Sequence, residues 1–150
     1  MIKSAGILVY RKGIDSSFEI YLGHMGGPFY ETKDEGAWTF AKGEVENHEV
    51  EIQAAIRECR EEMGIVVNEK NLVFLGLCKT KSKEIHVWAF EYTDNKPIEH
   101  CSNFFKLEWP KLSGNFMEFP EIDRTQWFPI NEAKKKIIKS LIPILEIFET

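Results

Sequence analysis

The spacing of apolar residues in the middle of the chain predicts one amphipathic helix within the stretch 43–65. Five apolar side chains recur there at intervals of three and four, the period that lines one face of a helix. They are Ile52, Ala55, Ile56, Cys59 and Met63. Asn47 has the side chain of a good N-cap, and Gly64 can end the helix in the left-handed conformation.

Short runs rich in β-branched and aromatic residues on both sides of this helix predict strands. The predicted strands are 4–11, 18–22, 38–40, 72–78, 84–92 and 126–128. In 84–92, Ile85 and Val87 occupy one face while Trp88 and Phe90 occupy the other, so both faces are apolar. A strand that is buried on both faces indicates helical layers above and below the sheet. The pattern therefore predicts the α/β class.

The remaining segments lack a regular period. Residues 24–36 contain glycine and proline and are predicted to form a loop, and the aromatic-rich segment 94–120 is predicted to be irregular. Near the end of the sequence, Asn131 can cap a helix that starts at Glu132. Pro143 should break or kink that helical region.

Composition narrows the class of protein. A sequence of 150 residues has the length of one domain, so we expect a single domain over 1–150. A net charge of −5 without a long basic run does not favour DNA binding. Three cysteines without a CxxC pair fit a reducing compartment, and no apolar run has the length of a membrane span. We therefore expect a cytoplasmic protein without a membrane partner, and nothing in the composition indicates its oligomeric state.

Three glutamates, Glu58, Glu61 and Glu62, lie together on the flank and back of the predicted helix. Residues three and four apart are neighbours on a helix surface, and like charges at these spacings destabilise the helix. A bound cation would offset this repulsion, and carboxylate oxygens favour Mg²⁺ or Mn²⁺ over Zn²⁺. The alternative is an ordinary acidic surface that faces solvent.

These glutamates belong to a longer pattern. Its fixed residues are Gly43, Glu49, Arg57, Glu58, Glu61, Glu62 and Gly64, with apolar Cys59 and Ile65 at the intervening and following positions. The pattern resembles the Nudix box at every fixed position. The similarity continues in SAGILVYR, AWTFAKG and FPEIDRTQWF, so nearly the whole chain resembles a group of small bacterial Nudix proteins described as nucleotide pyrophosphohydrolases. The resemblance implies a Nudix-type α/β/α sandwich around a mixed β-sheet.

The resemblance also implies roles for individual residues. The implied metal ligands are Glu58, Glu61, Glu62 and the backbone carbonyl of Lys42. The implied catalytic residues are Arg57, Glu58, Glu61 and Glu121. Arg57 would hold carboxylates in place by ion pairing, and either Glu58 or Glu121 would act as the general base, with Glu118 as an alternative to Glu121. Ala41 stands where related chains usually have proline, which predicts a less rigid loop.

Four residues are expected to contact the substrate, namely Phe29, Tyr30, Trp38 and Lys42. Phe29 and Tyr30 can stack on a nucleobase, or they can fold back onto the core. Lys42 can meet a phosphate as a point charge, or it can be a solvated surface lysine.

The strand pair 72–92 contains two further groups of polar residues. Lys79, Lys81 and Lys83 are interpreted as a solvated turn, with phosphate contact as the alternative. His86 is interpreted as a core or pocket residue rather than a metal ligand.

The function implied is magnesium-dependent hydrolysis of a pyrophosphate bond in a nucleoside diphosphate linked to another moiety. A nucleoside triphosphate or a dinucleoside polyphosphate would be such a substrate. The segment WTFAKG resembles the dinucleoside polyphosphate hydrolases more than the enzymes that remove mutagenic nucleotides. The alternative is a non-catalytic nucleotide-sensing module on the same fold. Such a module would be expected to have lost some of the fixed glutamates of the box, so the intact glutamates favour the enzyme.

Overall fold

The computed structural model describes residues 1–150, and every predicted strand is present. The strands are β1 Ile2–Lys12, β2 Phe18–Met25, β3 Trp38–Thr39, β4 Ala41–Glu44, β5 Leu72–Lys79, β6 Lys83–Glu91, β7 Phe104–Glu108, β8 Phe116–Pro120 and β9 Ile122–Pro129. The α-helices are α1 Glu51–Met63, α2 Ile130–Lys136 and α3 Ile142–Glu149. Short 3₁₀ turns, Glu69–Asn71 and Lys139–Leu141, precede β5 and α3.

Strand β1 is the centre of a mixed seven-stranded sheet. It pairs in parallel with β6 and antiparallel with both β2 and β4. Strands β3, β2, β1, β6 and β5 follow one another across the sheet, and β9 pairs with β2. Because β2 pairs with β1 from Val9 onward and β4 pairs with residues 4–7, the two partners share one edge of β1. This division brings β4 to the N-terminal half of β1.

Alternate residues of the sheet enter two apolar clusters, one on each face. One cluster packs against α2 and α3 and includes Leu8, Leu22, Phe40, Ile137 and Leu145. The other packs against α1 and includes Ile7, Val9, Ala55, Cys59 and Met63. The predicted α/β sandwich around a mixed sheet is therefore confirmed. None of the helices has the length and apolar character needed to cross a membrane.

Helix α1 begins later than predicted. It starts at Glu51 after Val50, which provides no capping side chain, so the prediction of Asn47 as the N-cap is wrong. The residues before the helix instead lie against its side. There the carboxylate of Glu49 accepts hydrogen bonds from the side chain of Arg57 and from the backbone N–H of Glu46.

The end of α1 is as predicted, but its buried face is rotated. Gly64 takes the left-handed conformation, with φ 70° and ψ 17°. The buried residues are Ala54, Ala55, Cys59, Glu62 and Met63. Ile52 and Ile56, which were predicted to be core, are only half-buried. The rotation carries Glu62 inward, and it is the one acidic side chain on the buried face.

The prediction that 94–120 is irregular throughout is wrong for its second half. Strands β7 and β8 form an antiparallel hairpin outside the main sheet, in which Phe105 pairs with Phe119 and Lys106 pairs with Glu118. Every hairpin residue is exposed or half-buried. The strands therefore lack the alternation of buried and exposed positions that identifies a strand in a sequence.

The C-terminal region also departs from the prediction. Helix α2 begins at Ile130 after Pro129, so Asn131 does not cap a helix that starts at Glu132. Pro143 kinks no helix, because it lies in the first turn of α3. Proline is tolerated there, since the N–H that it lacks would have no helical partner.

Candidate active site

Strand β4 and the residues up to Val50, here called the box loop, are held against β1. Gly43 lies opposite Ala5, and Lys42 lies opposite Gly6. A Cβ at Gly6 would stand 2.6 Å from the carbonyl oxygen of Ala41, so this close approach of the two strands requires glycine. The pairing fixes Lys42 and Gly43 beside α1.

Glu62 is a buried carboxylate that faces the box loop. It is 7% exposed, and its Oε2 accepts a hydrogen bond from the backbone N–H of Lys42 at 3.2 Å. Burial raises the pKa of Glu62 to about 8, and the charge of Glu58 acts in the same direction. Burial also lowers the pKa of the Lys42 side chain, while Glu62 opposes that shift. Desolvation thus disfavours the charged form of both groups.

Glu58 lies on the same side of α1, against the box glycine. Its side chain is 12% exposed, and its Oε1 accepts a hydrogen bond from Nη1 of Arg57 at 2.8 Å. Burial raises the pKa of Glu58, Arg57 opposes this, and the charges of Glu61 and Glu121 add to the rise. A Cβ at Gly43 would stand 2.2 Å from the carboxyl carbon of Glu58. The Glu58 carboxylate therefore occupies the space that the glycine leaves.

Arg57 ties the surrounding carboxylates together. Its Nε and Nη2 donate to the two oxygens of Glu49 at 2.7 and 2.9 Å, and its Nη1 donates to Glu58 at 2.8 Å and to Glu61 at 3.1 Å. Nη2 also donates to the carbonyl of Glu44 at 3.0 Å. The hydrogen bonds to Glu49 and then to Glu58 raise the pKa of Arg57, whose side chain is 19% exposed. Arg57 therefore lies where the resemblance places it, among the carboxylates of the box.

Glu61 is placed differently from the other two helix glutamates. Its side chain is 35% exposed, and it faces Arg57 rather than the cavity that Glu58 and Glu62 share. Of the three predicted carboxylate ligands, the structure brings Glu58 and Glu62 together and leaves Glu61 at the edge.

A cavity of about 440 Å³ lies between α1, the box loop and the start of β9. Its lining includes Lys42, Glu58, Glu62, Lys83, Asn103 and Glu121. Two backbone hydrogen bonds fix the position of Glu121. The N–H of Gly26 donates to the carbonyl oxygen of Glu121, and the N–H of Glu121 donates to the carbonyl oxygen of Asn103, each at 2.9 Å. Glu118 pairs with Lys106 in the hairpin and does not line the cavity.

Lys83 and Asn103 reach the cavity from outside the box. Lys83 was interpreted as part of a solvated turn, with phosphate contact as the alternative; it starts β6, and the parallel pairing of β6 with β1 places it opposite Ile2 and beside the cavity. Only the strand order could have revealed this. Asn103 precedes β7 and carried no signal in the sequence.

The predicted aromatic contacts lie outside this cavity. Phe29 is 47% exposed on the loop that follows β2 and packs edge-on against Trp109, with ring centroids 5.6 Å apart. Tyr30 is half-buried against the core. Trp38 is 2% exposed, and its indole N–H donates to Asp34 at 2.9 Å, so it offers no free ring face to a substrate.

His86 lies at the N-terminal end of β6. Its Nε2 is 3.5 Å from a carboxylate oxygen of Glu84, and this nitrogen is buried without a hydrogen bond. His86 lies outside the cavity.

The donor set of the cavity fits a hard divalent cation. No group of three or more Asp, Glu, His or Cys side chains is already arranged as a metal site. However, half-buried Glu58 and buried Glu62 are like charges in one cavity. Burial raises the pKa of both carboxyls, and the charge of Glu58 raises that of Glu62 further. A dication would offset this repulsion, and carboxylate and carbonyl oxygens are the ligands that Mg²⁺ prefers. Glu58, Glu62 and the carbonyl of Lys42 are the residues that would hold it.

The sequence as a whole matches a family model described as NUDIX domain over residues 3–146. The chain therefore belongs to the Nudix family.

Individual relatives agree with this assignment. The chain is 35% identical over 99 residues to a Bacillus subtilis (strain 168) protein named "Putative 8-oxo-dGTP diphosphatase YtkD", and the match covers 65% of this chain. The chain spans about 60% of the length of that curated relative.

Solved structures share the fold. A C. elegans Ap4A hydrolase, in a binary complex, is 23% identical with a TM-score of 0.67, covering 99% of this chain and 96% of that one. The NUDIX domain of Shewanella oneidensis NrtR, complexed with ADP ribose, is 12% identical with a TM-score of 0.63, covering 100% of this chain and 89% of that one.

Proposed function

We propose that this chain is a magnesium-dependent hydrolase that cleaves a pyrophosphate bond in a nucleoside diphosphate linked to another moiety. The observation that carries the proposal is the pair of carboxylates, half-buried Glu58 and buried Glu62, which share one cavity with Glu121 and Lys42. Mn²⁺ should substitute for Mg²⁺, because it accepts the same oxygen ligands.

The charged residues of the cavity bind the phosphates or take part in the proton transfer in this proposal. Bound Mg²⁺ would offset the charge of the phosphates and lower the pKa of a water molecule. Lys42 and Lys83 meet phosphate oxygens as point charges. Glu121 accepts the proton of the attacking water, because its carboxylate forms no ion pair whereas that of Glu58 is engaged by Arg57. The water oxygen bonds to phosphorus, and the bridging oxygen leaves with the departing phosphate.

The substrate class we propose is a nucleoside triphosphate or a dinucleoside polyphosphate. Lys42 and Lys83, beside the carboxylates of Glu58 and Glu62, suit a chain of several phosphates. The relatives named for 8-oxo-dGTP and for Ap4A support the same class. Phe29 and Tyr30 are retained as the proposed base-stacking residues, and Phe29 is the more exposed of the two.

A substrate screen tests this function. The purified chain would be incubated with Mg²⁺ and, in turn, nucleoside triphosphates including 8-oxo-dGTP, dinucleoside polyphosphates, ADP-ribose, nucleotide sugars and capped RNA. We expect metal-dependent release of a nucleoside monophosphate or diphosphate from a triphosphate or a dinucleoside polyphosphate. Binding of a nucleotide without any product would instead support the non-catalytic sensing module.

Gly43→Ala is expected to reduce turnover without unfolding the chain. The three atoms nearest the added Cβ all belong to the Glu58 carboxylate, the end of a flexible side chain that can rotate away. Turnover should fall by about tenfold or more, with little change in melting temperature. Gly76→Ala is the control, because the atoms nearest its added Cβ also belong to the end of a flexible side chain, that of Ile147, and Gly76 lies outside the cavity. Equal turnover of the two variants would contradict the prediction.

The stability of the metal-free chain is expected to depend on pH. Glu62 has a folded-state pKa of about 8, above the ordinary 4.5, so the folded state holds its proton more tightly than the unfolded state. The contribution of Glu62 to the free energy of unfolding should therefore be full below pH 4.5 and should be lost as the pH rises toward 8. Urea unfolding in chelator-containing buffer measures this, and Glu62→Gln should flatten the slope.

Mg²⁺ is expected to raise the melting temperature. A ligand at about 100 times its Kd stabilises the folded state by roughly 2.7 kcal/mol, which corresponds to about 5 °C or more for a chain of this size. NaCl at matched ionic strength should not reproduce the rise, and Glu62→Gln should remove most of it. Equal rises in the variant and the parent chain would argue against a metal site at Glu62.

A further inference from the structure

The imidazole of His24, near the end of β2, is fully buried and has an acceptor at each nitrogen. Nδ1 lies 3.0 and 3.1 Å from the two carboxylate oxygens of Asp123, and Nε2 lies 2.7 Å from the carbonyl oxygen of Lys33. A neutral imidazole has one N–H and one lone pair, so it can donate to only one of these groups. The lone pair would then face an oxygen acceptor at hydrogen-bond distance. The contacts are satisfied only when both nitrogens donate.

The groups around the ring are consistent with a donor at both nitrogens. The carboxylate of Asp123 also accepts from Nη1 of Arg124 at 3.3 Å, and the Arg124 guanidinium continues over the ring of Trp38. The ring of Trp38 lies edge-to-face with His24, with centroids 5.2 Å apart. Asp123 is thus the one acidic group that faces the imidazole, and Arg124 is the one basic group beside that acid.

The two acceptors of His24 belong to different parts of the site. Asp123 follows Glu121 by two residues at the start of β9, and Lys33 lies in the segment 26–37, here called the aromatic loop because it carries Phe29 and Tyr30. The ring therefore links the segment that carries Glu121 to the loop that carries the proposed stacking residues.

Backbone contacts show why a side-chain link is needed at this point. The ladder between β2 and β9 shifts register between His24 and Met25, so regular pairing stops just before Glu121. Beyond the shift, Gly26 N–H donates to the Glu121 carbonyl at 2.9 Å, and a Cβ at Gly26 would stand 1.9 Å from the carbonyl oxygen of Pro120. The two chains therefore pass each other in close contact, where a small displacement would move Glu121.

We propose that His24 is a positioning residue, which aligns Glu121 with the catalytic cavity and holds the aromatic loop beside it by donating hydrogen bonds from both ring nitrogens to Asp123 and Lys33. His24 does not line the cavity, so it acts through these two partners. The inference rests on the proposed function of Glu121, and its first test does not depend on activity.

The first test is the ¹⁵N spectrum of the four histidine rings, which shows which ring nitrogens carry a proton. We expect two protonated ring nitrogens for His24. His100 is the internal reference, because its Nε2 faces the carbonyl of Ile122 at 2.8 Å while its Nδ1 has no partner, so it has an acceptor at only one nitrogen. A proton on only one ring nitrogen of His24 would overturn the proposal whatever the activity.

The second test separates the two partners by steady-state kinetics. Asp123→Ala removes the link to the Glu121 segment, and we expect kcat to fall by about tenfold with KM nearly unchanged. Asp34→Ala is the matched variant, because Asp34 anchors the aromatic loop through Trp38 and Lys136 without touching His24. It should raise KM with kcat nearly unchanged.

The outcomes of the two tests are distinguishable. Similar changes in kcat and KM for both variants, or no change in either, would overturn the positioning role. Should Asp123→Ala fail to fold, Asp123→Asn keeps the shape of the side chain and is expected to show the same loss of kcat to a smaller degree. A parent chain without metal-dependent turnover would refute the proposed function and the positioning role with it, while the ¹⁵N spectrum would still decide the hydrogen bonding of His24.

Discussion

Glu62→Gln is expected to lower metal-dependent turnover by about 100-fold or more while the chain stays folded. The substitution removes the negative charge from the most buried carboxylate of the cavity, and a metal ligand that loses its charge no longer offsets that of the ion. The fold should tolerate the change, because burial already favours the neutral form of Glu62 and the amide oxygen can still accept from the Lys42 N–H. A loss of 100-fold corresponds to about 2.7 kcal/mol of transition-state stabilisation.

The measurement is turnover with saturating Mg²⁺, paired with thermal unfolding of the same preparations. Glu51→Gln is the matched control, because it makes the same chemical change in the first turn of the same helix, outside the cavity. It should keep nearly full turnover. Wild-type turnover in Glu62→Gln would remove Glu62 from the site and, with it, the main support for the proposed mechanism.

Glu61→Gln addresses the difference between the family resemblance and the structure. The resemblance implies that Glu61 is a metal ligand, whereas the structure pairs it with Arg57 at the edge of the site. A loss as large as that of Glu62→Gln would show that Glu61 leaves Arg57 to bind the ion. A much smaller loss would support the arrangement seen here.

Features set by local sequence were predictable. The period of α1, the left-handed end at Gly64 and the strands that alternate between two apolar faces follow from short-range rules, and each is present. The exact buried face of α1 was not predictable, because Ile52 is more hydrophobic than Ala54 and yet Ala54 is the residue that is buried. Close packing of a helix on a sheet selects size as well as polarity.

Features set by long-range pairing were not predictable. Lys83 reaches the cavity through the parallel pairing of β6 with β1, and Asn103 reaches it through its backbone contact with Glu121. The choice between Glu118 and Glu121 as the general base depends on a hairpin that the sequence did not reveal. In that hairpin Glu118 pairs with Lys106. These contacts join residues far apart in the chain, and no local pattern encodes them.

The start of α1 shows how one side chain can override a local signal. Asn47 has the chemistry of an N-cap, but residues 44–49 instead supply acceptors to Arg57, including the Glu44 carbonyl and both oxygens of Glu49. A bidentate arginine–carboxylate pair is stronger than a single capping hydrogen bond. The helix therefore starts at Glu51, and the box loop is organised by Arg57.

Arg57→Gln is accordingly expected to lower the free energy of unfolding by about 3 kcal/mol and to reduce turnover as well. Removing one partner of a half-buried charge network leaves the others uncompensated. Glu49 and Glu58 would lose their cation, and their side chains are only 17% and 12% exposed. Urea unfolding at pH 7 in low salt measures the loss, and repeating it in high salt should leave most of the loss in place, because buried pairs are screened weakly.

Two further variants test the cause of that loss. Arg60→Gln makes the same change three residues later on the same helix, at an exposed position whose side chain forms no ion pair, so its stability should stay within about 0.5 kcal/mol of the parent. Arg57→Lys keeps the charge but cannot donate to both oxygens of Glu49 and to Glu58 together, so it should fall between the two. If Arg57→Lys matched the parent in stability and turnover, a positive charge at this position would be enough. The several hydrogen bonds of the guanidinium would then not be what holds the box loop and Glu58 in place.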